Sequence, residues 1–400
     1  MTSLYLDHHA TTPLEPRVLE AMLPYWKERF GNAASRNHAF GWEAEDAVKA
    51  ARAVLAKAVG ADPEEIVFTS GATESNNLAL KGAARASTRK HIVTAATEHS
   101  SVLDSARALE AEGCRVTVLP VAPDGLLDPA QVERAIQPDT LLVSVMIVNN
   151  EIGVIQPFEA IGEICRKRDV LFHADGAQIL GRVPVNVRKA GIAMLSLSAH
   201  KAYGPKGIGA LFVSNRKPRA KLVPLLDGGG HEGGVRSGTL NVPGIVGFSK
   251  AVEIALQEGP AEEKRLLALR ERLRKGLLEK LDHVTVNGSL EKRIGGNLNA
   301  SFAFVEGESL LHLLNDRGIA VSTGSACSTA TLVPSHVLKA LEVSDALIHS
   351  SIRFGLGRST DEKAIDKTVE TLVWAVKKLR AISPLADLAR DPGPLKTFGP

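Results

Sequence analysis

The sequence predicts an α/β protein whose mostly parallel sheet is covered by helices on both faces, followed by a second, smaller α/β domain. Short apolar strand patterns alternate with helical patterns along the first part of the chain, which is typical of parallel sheets with crossover helices. The chain has 400 residues, more than one ordinary core holds. From about residue 260 the pattern changes to long charged helices with isolated strands, which indicates a second domain.

The first helical pattern covers residues 45–60, where Val48, Ala51, Leu55 and Val59 fall on one face and Gly60 is suited to the C′ position. A second helix is predicted over 71–84. Short runs of apolar residues predict the strands of the sheet. These runs cover residues 65–70, 91–96, 115–120, 140–148, 169–175, 194–199 and 208–213.

The second domain begins with a charged helical pattern over residues 261–281. Its apolar face is formed by Leu266, Leu269, Leu273, Leu277 and Leu281. Strands are predicted at 284–288, 297–304 and 351–357, and a closing helix at 365–379. Helices that alternate with strands again indicate an α/β unit.

Composition and charge exclude several classes of protein. Hydrophobic residues make up 44% and charged residues 23% of the chain, as in soluble globular proteins. A formal net charge of +3 with interspersed signs favours neither nucleic acid nor an anionic membrane. No apolar stretch approaches the roughly 20 residues that span a bilayer. The first residues lack the basic and apolar regions of a signal peptide, so we expect none.

The chain has three cysteines, Cys114, Cys165 and Cys327. Their odd number and wide spacing argue against zinc ligation and disulfides, and indicate a reducing cytoplasm. Cys114 precedes a strand pattern and Cys165 lies in a helical one, so we expect both to be inert core residues. Cys327 instead lies in the loop-like run "VSTGSACSTATLVPS", where a free cysteine is unusual and calls for a functional explanation.

Two charged residues follow buried strand patterns at the edge where open α/β sheets bind ligands. Lys201 lies in "SAHKAYGPKG" and Asp175 ends "VLFHAD". Separately, each has an ordinary explanation, a surface lysine in a loop and an aspartate that caps a turn. Together they suggest pyridoxal phosphate, which needs a lysine for its Schiff base and a carboxylate beside its pyridinium nitrogen.

The stretch "TSGATESN" predicts a cradle for the phosphate of that cofactor. A strand, a glycine-containing turn and a helix N-terminus bring free backbone N–H groups together, and the Thr73 hydroxyl adds a further donor. A plain helix N-cap remains the alternative. His8 and His9 have no carboxylate or thiol at ligand spacing, so we predict no metal site.

With these motifs the chain resembles the cysteine desulfurases that serve iron–sulfur cluster assembly and nitrogen fixation. The resemblance spans residues 4 to about 360 and includes "YLDHHATTP", "TSGATESNN", "TEHSS", "VNNEIGVIQP", "HADGAQ", "GGGHEGGVRSGTLNV" and "HSSIRFGLGR". It implies a homodimer with the fold-type I architecture of the aminotransferase class V superfamily. The large domain, 16–259, would hold a seven-stranded sheet, and residues 1–15 and 260–400 would form a small domain that carries Cys327.

The resemblance also implies a role for each site residue. Lys201 would form the Schiff base and take the substrate Cα proton, and Asp175 would keep the pyridine nitrogen protonated. His99 would stack on the ring and move protons; a satisfied core histidine is the alternative. The other implied cofactor contacts are Ala72, Thr73, Ser198 and His200 at the phosphate, Asn150 and Gln178 at the phenolic oxygen or substrate carboxylate, and Thr239 at the phosphate of the partner subunit.

Arg353, within an apolar strand pattern, would clamp the substrate carboxylate, a geometry that suits a guanidinium; a surface arginine is the alternative. Cys327 would be the nucleophile. Its thiolate would attack the sulfur of L-cysteine, releasing L-alanine and leaving a persulfide. The long form of its loop implies transfer to an acceptor protein, for iron–sulfur cluster assembly or another thiolation.

Two other functions remain open from the residues alone. A related pyridoxal phosphate transaminase would need Lys201 and Asp175 but would have no use for Cys327. A non-catalytic binding subunit that kept the fold would need neither Lys201 nor Cys327. The presence of both residues favours the desulfurase.

Overall fold

The computed structural model of the chain describes residues 4–323 and 334–383. Its strands are β1 Leu4–Tyr5, β2 Ile66–Thr69, β3 His91–Ala95, β4 Arg115–Leu119, β5 Thr140–Ser144, β6 Leu171–Asp175, β7 Met194–Ser198, β8 Gly209–Val213, β9 Val284–Val286, β10 Asn297–Phe302, β11 Ile319–Ala320 and β12 Ser351–Gly355. Its helices are α1 Pro16–Met22, α2 Pro24–Lys27, α3 Ala39–Val59, α4 Ala72–Asn77, α5 Ala83–Arg85, α6 Ser100–Ala111, α7 Pro129–Ala135, α8 Phe158–Lys167, α9 Val242–Lys280, α10 Gly307–Asp316, α11 His336–Ala340, α12 Asp345–His349 and α13 Glu362–Ile382.

The central sheet has seven strands in the order β2-β8-β7-β6-β5-β3-β4. All neighbours are parallel except the two pairs that β8 forms, with β2 and with β7. This confirms the predicted mostly parallel sheet, and each of its strands falls within a predicted run. Because both faces of the sheet are covered, most of its strands are buried along their whole length.

Helix α3 shows why the sequence pattern predicts this packing. The predicted apolar positions Val48, Ala51, Leu55 and Val59 are all buried, and α3 packs along α9. Gly60 follows in the left-handed conformation, with φ 72°, and its N–H bonds to the last turn. A glycine adopts this conformation without the Cβ clash that other residues incur, so the helix ends there.

A second hydrophobic core lies beside the large sheet. It is built from the three-stranded sheet β12-β10-β9, the C-terminal half of α9, α10 and α13. The N-terminal residues join it, because β1 pairs in parallel with β11 and Leu6 packs into this core. Across the two described ranges, no helix has the length and apolar character needed to cross a membrane.

Two elements differ from the sequence expectations. Helix α9 begins at Val242 and runs unbroken through Pro260, whereas the pattern predicts a helix that begins at residue 261. Its first half packs in the core of the large sheet through Ile245 and Phe248, and its second half packs in the second core through Leu269 and Leu273. The helix predicted over 71–84 forms, but with a π-helical turn at Leu78–Gly82 between α4 and α5.

Candidate active site

A cavity of about 570 Å³ opens at the carboxyl ends of β6 and β7, beside the start of α4 and next to β12 of the second core. This is the sheet edge at which open α/β folds bind ligands. All the predicted site residues that the structure describes, except Thr239, line it: Ala72, Thr73, His99, Asn150, Asp175, Gln178, Ser198, His200, Lys201 and Arg353. Thr239 is exposed and lies outside this cavity. Cys327 lies outside the described residues.

Lys201 ends the short 3-10 turn that follows β7. Its Nζ donates hydrogen bonds to the backbone carbonyls of His9 and, at 2.7 Å, of Ala10. The N-terminal segment therefore reaches across the sheet edge and orients the amine. Both of these acceptors are neutral backbone carbonyls.

Asp175 is the last residue of β6 and is 4% exposed. Its Oδ1 accepts a hydrogen bond of 2.9 Å from the backbone N–H of Ala177, and its Oδ2 accepts one of 2.8 Å from Nδ2 of Asn76. A buried carboxylate needs such donors, because an unpaired buried charge is costly. Asn76 was not singled out from the sequence, although it lies in the "TSGATESNN" motif one turn into the helix.

The end of the cavity near α4 carries donors suited to an anion. Gly71 precedes α4 with φ 152°, and a Cβ there would meet open space, so the chain opens toward the cavity at the helix N-terminus. Ser198 ends β7, and His200 bonds through Nδ1 to the Thr11 hydroxyl at 3.0 Å. Burial, together with the neighbouring lysines, lowers the pKa of His200 to about 4, so its ring is neutral near pH 7.

His99 is the N-cap residue of α6. The backbone N–H of Ser101 donates to its Nδ1 at 3.1 Å, and the Ser101 hydroxyl lies 2.8 Å from the same nitrogen. Because Nδ1 accepts, the neutral ring carries its proton on Nε2. Asn76 donates to that hydroxyl at 2.9 Å, so a chain of hydrogen bonds joins His99 to Asp175 through Ser101 and Asn76.

Arg353 is 2% exposed in the middle of β12. Its Nη1 donates to the carbonyl of Asn150 at 3.1 Å, and its Nη2 donates to Oδ1 of Asp7 at 2.9 Å. Its buried Nε has no hydrogen-bond partner within the described residues. Arg353 also lines the cavity, where a guanidinium suits a ligand carboxylate.

The described residues on either side of segment 324–333 lie next to this arginine and a buried acid. Ser322 exchanges backbone hydrogen bonds with Arg353, at 2.6 and 3.4 Å. The Ser335 hydroxyl donates to Oε2 of Glu151 at 2.6 Å and caps α11. Burial raises the pKa of Glu151 to about 7. Glu151 follows Asn150 directly, and its place in "VNNEIG" is the one signal by which the sequence could have revealed it.

The other two cysteines are buried, as predicted. Cys165 packs in the core of the large sheet, where burial raises the pKa of its thiol to about 12. Burial also raises the pKa of Cys114. Both are held as thiols near neutral pH, the form that is a poor nucleophile. Across the described ranges, no group of three or more His, Cys, Asp and Glu side chains is arranged to hold a metal ion.

Pyridoxal phosphate, the cofactor that the sequence resemblance implies, fits this donor set. A carboxylate held by two donors suits a pyridinium N–H, an amine suits an aldehyde, and a helix N-terminus with hydroxyls suits a phosphate. The groups occur together in one cavity, with Asp175 and Lys201 on neighbouring strand ends. A cavity of about 570 Å³ is of the size usual for a small-molecule site.

Comparison with known proteins agrees with the geometry. The aminotransferase class-V family matches residues 4–368. A protein named cysteine desulfurase IscS from Anaeromyxobacter sp. (strain Fw109-5) is 59% identical over 97% of this chain and 96% of its own length. The mitochondrial cysteine desulfurase of Arabidopsis thaliana is 54% identical, over 97% of this chain and 85% of its own.

Solved structures give the same result. A structure described as a NifS-like protein superposes with a TM-score of 0.88 at 36% identity and covers 94% of this chain and 100% of that chain. One described as SspA in complex with cysteine has a TM-score of 0.78 at 38% identity and covers 88% of this chain and 99% of its own. The resemblance read from the motifs is confirmed. The chain belongs to the aminotransferase class-V family and, within it, to the pyridoxal-phosphate-dependent cysteine desulfurases.

Proposed function

We propose that this enzyme converts L-cysteine to L-alanine and transfers the sulfur to Cys327 as a persulfide, from which it passes to an acceptor protein. The observation that carries the proposal is the shared cavity of Lys201, Asp175, His99 and Arg353. These groups supply an amine, a buried carboxylate, an imidazole that can carry a proton and a guanidinium that can bind a carboxylate. Removal of the Cα proton from a bound α-amino acid requires groups of these four kinds.

The cofactor, when bound, supplies an electron sink that weakens the bonds around the amino acid's Cα. Lys201 would hold the cofactor covalently and would move the proton at the substrate Cα. Asp175 would accept a hydrogen bond from the pyridinium nitrogen, while Thr73, Ser198 and His200 would bind the phosphate, together with the N–H groups that begin at Ala72. A neutral His200 suits this role because it can donate one hydrogen bond and keeps its other nitrogen on Thr11.

Binding and orientation of L-cysteine fall to the other side of the cavity. Arg353 and Asn150 would bind the substrate carboxylate, which is supported by their shared place in the cavity lining. His99 lines the cavity and would act on the cofactor ring and the substrate through Nε2, since Ser101 occupies Nδ1. Gln178 donates to the phenolic oxygen or to the carboxylate.

The transfer of sulfur from the substrate to Cys327 requires no added oxidant. The Cys327 thiolate attacks the substrate sulfur, an S–S bond forms, and the C–S bond breaks with its electron pair left on Cβ. A proton then completes the methyl group of L-alanine. Since a free cysteine has a pKa of about 8.5, the site or the substrate must take the thiol proton. The attachment of residues 322 and 335 beside Arg353 and Glu151 supports a position for Cys327 within reach of the substrate.

We infer that the enzyme is a homodimer with sites completed across the interface. An exposed aromatic group supports this, since Trp26, Phe30, Phe40 and Trp42 are 61%, 66%, 51% and 52% exposed, and the rings of Phe30 and Phe40 stack at 5.3 Å. Apolar surface of this kind marks protein interfaces. Thr239, exposed and outside its own chain's cavity, would reach the phosphate of the partner subunit.

The acceptor is proposed to be an iron–sulfur scaffold or another protein that receives sulfur. Relatives bear the name IscS, and the implied long cysteine loop suits handover between proteins. The net charge of +3 supports neither nucleic acid nor a membrane as partner. Free thiols at Cys114 and Cys165 support a reducing compartment, and we propose the cytoplasm.

The test measures L-alanine and sulfide from L-cysteine with a reductant present and no keto acid added. Lys201→Ala should abolish turnover and the borohydride-trappable bond between cofactor and protein. Lys206, an exposed lysine that also lines the cavity, gives the matched control: Lys206→Ala should keep both the trapped bond and turnover. Turnover that required a keto acid would indicate a transaminase. A trapped cofactor on Lys206 would refute the assignment of Lys201.

A further inference from the structure

The Arg182 guanidinium holds the side-chain amide of Gln178. Its Nη1 donates to Oε1 of Gln178 at 2.5 Å and to the Gln178 carbonyl at 3.3 Å, and its Nη2 donates to the carbonyl of Lys201 at 3.2 Å. All three acceptors are uncharged oxygens. A guanidinium forms a planar fork of donors, so it can fix two partners at a set angle. Here the Arg182 guanidinium links the side chain of Gln178, which lines the cavity, to the backbone of Lys201.

The orientation of the Gln178 amide is settled by its two partners. Its Oε1 receives the Arg182 donor, and its Nε2 donates to the carbonyl of His9 at 3.1 Å. A guanidinium only donates and a carbonyl only accepts, so an exchange of the amide oxygen and nitrogen would place donor against donor and acceptor against acceptor. The amide therefore has a single stable orientation.

One N–H of Gln178 remains for the cavity. Nε2 carries two hydrogens, of which the His9 carbonyl takes one. Gln178 is 3% exposed and lines the cavity. The same His9 carbonyl accepts from Nζ of Lys201, so the amide nitrogen and the lysine amine share a neighbour. In pyridoxal phosphate the hydroxyl-bearing carbon adjoins the carbon that carries the aldehyde. An amide donor beside the lysine is thus suited to the phenolic oxygen.

We propose that Arg182 is a positioning residue that locks Gln178 as a hydrogen-bond donor to the phenolic oxygen of the bound cofactor. The inference rests on the proposed cofactor contact of Gln178. Without the guanidinium, the Gln178 amide is free to turn and to present its oxygen to an anionic oxygen, which repels it. Arg182 touches neither cofactor nor substrate in this scheme, and its effect passes through Gln178.

A double-substitution cycle tests this on the holoenzyme and on the cofactor-free protein. Gln178→Met keeps the length of the side chain and Arg182→Met keeps an unbranched aliphatic stem, and each substitution removes the side-chain hydrogen bonds. Two quantities are measured for each single variant and for the double variant: the cofactor dissociation constant and the pH midpoint of the bound cofactor's visible absorption. When the hydrogen bond from Gln178 is lost, the phenolic oxygen of the cofactor attracts the proton on the neighbouring nitrogen more strongly. The pH midpoint of the visible absorption therefore moves upward.

We expect both single variants to raise the midpoint by about half a unit and to weaken cofactor binding by about tenfold, the equivalent of about 1.4 kcal/mol. The double variant should match Gln178→Met alone, because in this proposal Arg182 affects the cofactor through Gln178. Arg182→Lys, which keeps one donor, should restore more than half of the midpoint shift. The melting temperature of the cofactor-free protein separates a folding defect from a positioning effect.

Each failure points to a different error. A Gln178→Met variant with the midpoint and affinity of the wild type would refute the cofactor contact of Gln178, and with it this inference. If Gln178→Met shifts the pH midpoint but Arg182→Met does not, the positioning role of Arg182 is refuted, whereas the cofactor contact of Gln178 is not. Full additivity in the double variant would show that Arg182 acts independently of Gln178 and would overturn the proposal. If Arg182→Met does not fold, Arg182→Gln, which removes the guanidinium fork but stays polar, replaces it in the cycle, and a wild-type midpoint for that variant contradicts the proposal.

Discussion

The amide of Asn76 donates a hydrogen bond of 2.8 Å to the carboxylate of Asp175, and both side chains are buried. The second amide hydrogen goes to the Ser101 hydroxyl, which lies against Nδ1 of His99. One amide thus supports the carboxylate proposed to face the pyridinium and, through Ser101, the histidine proposed to move protons. Asn76 occupies this place because it lies one turn after Ala72, on the face of α4 that is turned toward β6 and α6.

We predict that Asn76→Ala lowers the free energy of unfolding of the cofactor-free enzyme by about 1–3 kcal/mol, because a buried carboxylate loses a donor. Turnover should fall by about tenfold or more, the equivalent of at least about 1.4 kcal/mol. The matched control is Asn77→Ala, since Asn77 is less buried and donates to the Thr73 carbonyl instead. Urea unfolding and steady-state kinetics measure the two effects. Equal losses in both variants would contradict the role of Asn76.

The sheet could be predicted from sequence because buried parallel strands are short apolar runs that leave a local pattern. The residues that support the site left no such pattern. Asn76 and Arg182 act through contacts made between distant segments, as when Arg182 meets the carbonyl of Lys201. The start of α9 was also missed, because its first half packs against the large sheet and lacks the charged stripe of residues 261–281. Such features depend on tertiary contacts rather than on local periodicity.

Glu151 gives the stability of the protein a pH dependence with a definite sign. Burial raises its pKa from 4.5 to about 7, against the opposing effects of Ser335, Arg353 and His99. Between these two values the folded protein keeps a proton that the unfolded chain has released. The stability contributed by this group is therefore present below pH 4.5 and is lost as the pH rises through 7. The loss by pH 8 is at most about 3 kcal/mol.

Glu151→Gln should remove this dependence, since an amide oxygen still accepts from Ser335 but does not titrate. We predict that the variant gains stability relative to the wild type between pH 5 and pH 8, by up to about 3 kcal/mol. Urea unfolding at the two pH values measures the difference, and the histidines common to both proteins cancel. Glu159→Gln, at an exposed position on α8, should show no such gain. A pH-independent difference for Glu151→Gln would contradict the assignment.

We predict that Cys327, and neither of the other two cysteines, receives the sulfur of the substrate. After incubation with L-cysteine, mass spectrometry of the peptides should find an added sulfur on Cys327 alone. Cys165, with a pKa of about 12, and Cys114, with its pKa also raised, remain protonated. Cys327→Ser should bind the cofactor but form no persulfide, whereas Cys165→Ala should still load Cys327. An added sulfur on Cys114 or Cys165 would refute the mechanism.

The proposed sharing of sites across a dimer is tested best by mixing subunits. Thr239→Val should weaken cofactor binding by about one to two powers of ten, because one hydrogen bond to a charged group is worth roughly 1.5–3 kcal/mol. A differently tagged Thr239→Val chain is paired with a Lys201→Ala chain, and the mixed dimer is purified. If Thr239 acts on the partner's cofactor, the site with an intact Lys201 also receives an intact Thr239, and it should bind the cofactor with wild-type affinity. The other site has lost both residues. If instead the lysine-competent site shows the weakened affinity, Thr239 acts within its own subunit and the shared site is excluded.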